Sequence, residues 1–313
     1  MTALEAVAPP ALRRPVSGMP GQGGRWLWRT VSGLAQPVVQ EAATLLSAAS
    51  IRQTSAWADP PLDAGGLPVL LVGGLASTPQ SLATLHDWLE RLNFSPAISP
   101  INFGIDCGER SARRVSDALA DLVDASGRRA ALVAHSRGGH FARAVSVRHP
   151  DLVDCLVTLG SPVNRMLGVH PMLLAEIGMI GLMGSLGLPG LMRPSCLFGR
   201  CCRTLRDDLF APFPKQVPYL SIFSREDRLV DWRSCVDPGA RHREVRSTHA
   251  GMVCSPVALM AVAEELQALR RQGSRADRDA VAPVVGQDLE ERSVARPQHL
   301  TRARDLVGHR DLA

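Results

Sequence analysis

Aromatic residues and lysine are both scarce in this chain. Aromatics make up 4% of 313 residues, with a single tyrosine, so Leu, Val, Ala and Met must fill any core. Lys215 is the only lysine although the formal charge is +5, so arginine carries the positive charge. No basic run is interleaved with aromatics, and nucleic acid is therefore not an expected partner. No uninterrupted apolar run reaches the roughly 18 residues of a membrane span. The N-terminus lacks a charged-then-apolar signal pattern, because Pro9, Pro10 and Pro15 interrupt it. The Gly-Lys-Ser/Thr ending of a phosphate loop and the dinucleotide glycine fingerprint are missing, and no cofactor is expected. There is no internal repeat. The seven cysteines are odd in number and irregular in spacing, which does not fit a secreted disulfide framework. The expected location is the cytoplasm, with reduced thiols.

What is present divides the chain into four parts. Residues 1–24, rich in Pro, Gly and Ala, are expected to be disordered. Residues 25–66 form a helical extension and linker, with an apolar face over Trp26–Ser50 that Pro37 interrupts. Arg25 and Arg29 flank its tryptophans, so the helix would pack on the domain or lie on a membrane surface. Residues 67–272 form the main domain, and residues 273–313, Arg- and Asp-rich with little periodicity, are expected to be a disordered or weakly helical tail.

Within the domain, apolar runs at 67–72, 96–101, 130–134, 152–159, 217–223 and 241–246 read as strands. Helical periods at 78–92, 111–126, 141–149 and 256–269 alternate with them. The alternation predicts an α/β fold, a mostly parallel sheet with helices on both faces. Residues 162–214 break the rhythm with Gly, Met, Leu and Pro and form an insertion.

One segment carries chemistry. The strand at 130–134 runs into His135-Ser136-Arg137-Gly138-Gly139 and then a helix. A nucleophile elbow needs this grammar: a strained turn projects the serine hydroxyl, and small residues two before and two after it avoid clashes. Ala134 and Gly138 meet that need, and Ser136 is the candidate nucleophile. A serine hydroxyl needs a base at neutral pH. In this arrangement acid and histidine follow in that order. Asp227 lies just past the 217–223 strand, with Asp231 as its main rival and Glu226 behind it. His249 follows the last strand in a loop and is the candidate base. His242 lies within that strand, and His135 is expected to be a packing residue. His86, His140, His149 and His170 have no supporting context. Backbone N–H groups of Arg137, after the nucleophile, and of Leu75, in the Gly73-Gly74-Leu75-Ala76-Ser77 loop, would form an oxyanion hole.

Taken together, these features resemble the α/β-hydrolase superfamily, and in particular bacterial triacylglycerol lipase and esterase-like members. Bacillus-type lipases likewise use Ala-x-Ser-x-Gly at the elbow. The resemblance spans about Leu67 to Leu269. It implies an α/β-hydrolase fold with catalytic Ser136, Asp227 and His249 and oxyanion donors at Leu75 and Arg137. Many relatives have His-Gly where this chain has Gly73-Gly74, which affects the shape of that loop. The implied reaction is hydrolysis of a carboxylic ester with a hydrophobic acyl chain. Acyl transfer or thioester cleavage through the same acyl-serine is the alternative. A hydrolase fold kept as a binding protein is a third reading, against which the intact triad argues.

The 162–214 insertion lies where such enzymes carry a cap. Its methionines and leucines suggest a flexible apolar lining that admits an acyl chain, as against a pair of core helices. Cap or N-terminal helix would make any peripheral membrane contact. Cys196, Cys201 and Cys202 fit a disulfide pinning the cap or buried thiols equally well. A zinc site would need more ligands than the spacing of the cysteines suggests, and no metal is expected.

Overall fold

A computed structural model of the chain describes residues 48–59, 63–101 and 103–280, with side chains from residue 51 to residue 268 except that of residue 56. The expected disordered segment 1–24, most of the expected helix at 26–50 and the tail beyond residue 280 lie outside the described residues.

Six strands form one sheet in the order β2-β1-β3-β4-β5-β6. They are β1 Leu67–Val72, β2 Phe94–Ile98, β3 Ala130–His135, β4 Val153–Leu159, β5 Tyr219–Phe223 and β6 Arg241–Glu244. Every adjacent pair is parallel. A parallel sheet must be covered on both faces, which explains why β1 and β5 are buried along their whole length. The strand expected at 96–101 begins earlier, at Phe94, which pairs with Leu67. Pro96 lies inside it, and β2 tolerates a missing N–H because it is an edge strand.

Among the described residues six helices of eight residues or more cover this sheet and its loops: α1 Pro79–Arg91, α2 Gly108–Ser126, α3 Gly138–Arg148, α4 Pro171–Ser185, α5 Arg203–Phe210 and α6 Pro256–Ala280. Alternate side chains of β1 divide between two cores. Val69 and Leu71 join Trp88 and Leu89 of α1 and Leu259 and Val262 of α6. Leu70 and Val72 join Val115 and Leu119 of α2 and Phe141 and Val145 of α3. Pro79 starts α1 behind a Thr78–Ser81 capping box, and Gly127 in the left-handed region ends α2. Before β1, Ile51 is buried and Trp57 stacks on Trp88 at 5.7 Å.

The insertion between β4 and β5 contains α4, a helical turn at Pro194–Leu197 and α5. It is not a pair of core helices, because α4 buries only Ile180, Gly181 and Gly184. Its far end is fixed by two arginines of α3. Arg143 Nε donates to Asp237 Oδ2 at 2.5 Å, while its other nitrogens donate to the carbonyls of Asp208 and Ala211 at 3.2 and 3.0 Å. Arg148 holds both Glu109 oxygens at 2.9 Å and Asp208 Oδ2 at 2.6 Å.

The Arg143–Asp237 pair is buried, with side chains 6% and 4% exposed. Removing one partner leaves the other charge without compensation. Arg143→Ala is expected to lower unfolding free energy by about 3–5 kcal/mol. Arg52→Ala, which removes an exposed pair with Asp87, should cost less than about 1 kcal/mol. Urea midpoints measured on both variants check the contrast, and equal losses would contradict it.

Candidate active site

β3 delivers Ser136 at the carboxyl edge of the sheet. Its φ is +55°, a left-handed conformation that a serine adopts only under constraint. The constraint is visible on three sides. Ser136 N–H donates to Leu159 O at 2.9 Å, and Gly139 N–H turns back to Ser136 O at 3.0 Å to begin α3. A β-carbon at Gly138 would lie 2.4 Å from Val72 O, and one at Gly74 would lie 2.7 Å from Ser136 Cβ and 3.2 Å from Arg137 N. The loop after β1 is thus pressed onto the elbow, and only glycine fits at either contact. Ala134, two residues before the serine, is fully buried in β3.

The Gly73-Gly74 loop has its own shape. A β-carbon at Gly73 would lie 2.4 Å from Ser77 Oγ, so a larger side chain has no room here. Ser77 instead bonds Ser81 Oγ at 2.8 Å, and its N–H donates to Gly74 O at 3.3 Å. Leu75 follows directly. Among the described residues no hydrogen bond engages the backbone N–H of Leu75 or of Arg137. Such free donors at a turn and a helix start are available to an anion.

Asp227 sits in the loop after β5 with its side chain 2% exposed. Its Oδ1 accepts from Leu229 N and Val230 N at 2.9 and 2.8 Å, which aims Oδ2 at His249. His249 Nδ1 meets Asp227 Oδ2 at 2.7 Å. Neither rival acid is placed this way. Asp231 caps the turn at Trp232–Cys235 by accepting from Arg233 N at 3.1 Å. Glu226 pairs with Arg246 at 3.0 Å in solvent. His242 is exposed and accepts from Asp237 N at 3.2 Å.

His135 packs, as its place in the elbow suggests, but its packing partner is His249. The two rings are 4.6 Å apart, and His135 Nε2 lies 3.0 Å from His249 O. The sequence carries no sign of this contact, which joins residues 114 positions apart. Burial, and then the nearby His249, depress His135 to about 3. Burial, and then Arg137, depress His140 to about 4, and its Nε2 lies 3.2 Å from Pro162 O. Both rings are therefore neutral at pH 7. Burial also draws the Arg137 guanidinium down to about 10, which leaves it charged.

A cleft of about 300 Å³ opens over these groups. Leu75, Ser136 and His249 share it with Met172 and Leu173 from α4. A narrower space of about 40 Å³ also meets Leu75, Ser136 and Leu173 and continues to Met166, Ile177 and Leu197. The serine, the histidine and the two free N–H groups thus gather where the insertion supplies apolar walls. Such a set can transfer a proton from a hydroxyl and hold a developing oxyanion.

No protein-family model and no curated protein matches the sequence. Solved structures do resemble it. Bacillus licheniformis lipase BlEst2 in its mature form superposes with a TM-score of 0.51 at 14% identity, over 67% of this chain and 94% of that one. The metagenomic carboxyl esterase MGS0156 gives 0.48 at 18% identity, over 60% of this chain and 66% of that one, just under two thirds of the esterase's length.

The buried imidazoles make stability depend on acid. Unfolded histidine has a pKa of about 6.5, above the folded values of about 3 and about 4. Between those limits the unfolded chain binds more protons, so stability must fall as pH falls. Urea midpoints measured from about pH 7 down to about pH 4 should decline, and His140→Gln should decline less steeply. An identical slope in the variant would remove His140 as a cause. With the parallel six-stranded sheet, the strand–Ser136–helix turn and the superposition on BlEst2 in hand, the chain has the α/β-hydrolase fold.

Proposed function

We propose that the chain is a serine hydrolase that cleaves carboxylic esters with a hydrophobic acyl chain. The observation that carries the reading is the buried Asp227–His249 pair, 2.7 Å apart, opening on the cleft that holds Ser136 on its strained turn. In this reading His249 Nε2 takes the Ser136 proton as Oγ attacks the ester carbonyl. Asp227, fixed by two backbone N–H groups, holds the imidazole's tautomer and stabilises the imidazolium. The N–H groups of Leu75 and Arg137 receive the oxyanion, and the positive end of α3 lies behind it. His249 then protonates the leaving alcohol and activates water for deacylation.

A hydrophobic acyl group is supported by the cleft walls, Met172 and Leu173 above Leu229 and Val253. The name of the similar protein BlEst2, a lipase, agrees with ester chemistry. The outer surface of the insertion supports contact with a lipid or an emulsified ester. Met179, Leu182 and Leu186 of this segment are 58%, 56% and 74% exposed.

A fluorophosphonate probe should label the wild-type protein and leave Ser136→Ala unlabelled. Asp227→Asn should reduce kcat for a p-nitrophenyl ester by roughly 10³- to 10⁴-fold with little change in KM. Absence of labelling, or equal labelling of Ser136→Ala, rejects the reading. A p-nitrophenyl series should show kcat/KM rising from acetate to longer acyl chains. Added alcohol acceptors distinguish hydrolysis from acyl transfer, since a transferase would partition its acyl group to alcohol in preference to water.

The surface role is tested separately with Met179→Glu combined with Leu182→Glu. Hydrolysis of a short soluble ester should be unchanged, while hydrolysis of an emulsified triglyceride falls several-fold. Equal rates on the emulsion would exclude the contact.

A further inference from the structure

Four thiols converge away from the catalytic cleft. Cys196, Cys201 and Cys202 belong to the insertion, and Cys107 is the residue that caps α2. Cys107 Sγ lies 3.5 Å from Cys201 Sγ and 3.4 Å from Cys202 Sγ, and Cys196 Sγ lies 3.6 Å from Cys201 Sγ. All four sulfurs fall within 4.8 Å of one another. A disulfide joins two sulfurs at about 2.05 Å and gives no reason for four to meet. Metal–sulfur bonds of about 2.3 Å in a tetrahedron place sulfurs about 3.8 Å apart, close to the separations seen here.

We propose that Cys107, Cys196, Cys201 and Cys202 bind one zinc ion in a closed tetrathiolate site that staples the insertion to the start of α2. Binding converts four thiols to thiolates and releases four protons. With four protein ligands no coordination position is open, so the ion is structural and takes no part in acyl transfer.

The surroundings suit thiolates. Cys107 stands at the start of α2, where the positive end of the helix favours a thiolate. Arg193 N–H donates to Cys196 Sγ at 3.4 Å. Hydrogen bonds of this kind orient metal-bound sulfur. Gly108 permits the approach, since a β-carbon there would lie 2.6 Å from Leu205 Cδ2 and 3.6 Å from Cys202 Sγ.

Charge gives an independent argument. Arg137 extends from the elbow into electrostatic reach of Cys202, Cys196, Cys107 and Asp106. Among the described residues its guanidinium donates to Met192 Sδ and Asp106 O, both at 3.3 Å, and lies over the Phe141 ring. Among the described residues no carboxylate forms an ion pair with it. Four neutral thiols would leave this half-buried cation facing Asp106 alone, a carboxylate already paired with Arg110 and Arg114. A zinc tetrathiolate carries a net charge of −2, which Arg137 and Arg110 face. The site would thereby also brace the residue whose N–H is the proposed oxyanion donor.

The test begins with the full chain purified without chelator. Elemental analysis should give about one zinc per chain, released stoichiometrically by a mercurial thiol reagent. Exchange for cobalt should produce the intense visible bands and sulfur-to-metal charge transfer of a tetrahedral tetrathiolate. After denaturation in chelator without reductant, all seven cysteines should alkylate. Cys107→Ser and Cys201→Ser should lose the metal or the tetrathiolate spectrum, while Cys155→Ser retains both. Cys201 is exposed, so its variant remains informative if Cys107→Ser fails to fold. The proposal is overturned by metal-free wild type that resists cobalt loading, by a disulfide among these four cysteines, by iron in place of zinc, or by unchanged metal content and spectrum in Cys201→Ser.

Discussion

The left-handed turn at Ser136 is the constraint on which the rest of the site depends. A non-glycine residue held there costs about 1–3 kcal/mol and persists only if its surroundings leave no other choice. Here β1, β3 and β4 supply those surroundings. The Leu159 carbonyl holds the Ser136 N–H, and the loop after β1 closes against the turn through Gly74. Parallel pairing puts the carboxyl ends of these strands on one edge, so the same edge collects Leu75, Ser136 and Asp227 from distant parts of the chain. His249 then arrives after β6 and meets Asp227.

The insertion is attached to this framework by polar contacts and by apolar side chains, Ile180, Met192 and Leu205 among them, that join the core between α2 and α3. Arg143 and Arg148 of α3 grip the end of α5, and the thiol cluster sits where the turn at Pro194–Leu197 meets the start of α2. Between these anchors α4 spans the cleft with an apolar surface on both sides, Met172 and Leu173 facing in and Met179 and Leu182 facing out. That arrangement explains its Gly and Met content. Gly184 admits the Met192 carbonyl, which a β-carbon would meet at 2.2 Å. Arg137 links the two regions, with its backbone in the elbow and its guanidinium beside the sulfurs.

Much of the fold was legible because its signals are local. Apolar runs bounded by Gly or Pro give strands, and the observed β1 coincides with the expected one. Pro79 and Gly127 mark helix ends through their own backbone preferences. The order of Ser136, Asp227 and His249 along the chain could be read because each follows a strand end. The choice among Glu226, Asp227 and Asp231 could not, since it depends on which carboxylate receives the Leu229 and Val230 N–H groups and so faces the histidine. The thiol cluster was illegible for a related reason. Cys107 stands apart in sequence from the other three, and no spacing rule joins residues that only a helix start and an insertion bring together.

By itself the sequence determined the alternation of strands and helices, the position of the elbow and the candidate residues for acyl transfer. Those features follow from side-chain periodicity and from the turn preferences of short segments. Tertiary structure alone decided which acid meets His249, that His135 packs on its ring, and that four separated cysteines share one volume. Each of these is a contact between chain segments many residues apart. Its geometry is set by strand register and by steric fit at glycines such as Gly74 and Gly108, quantities that no local stretch of sequence contains.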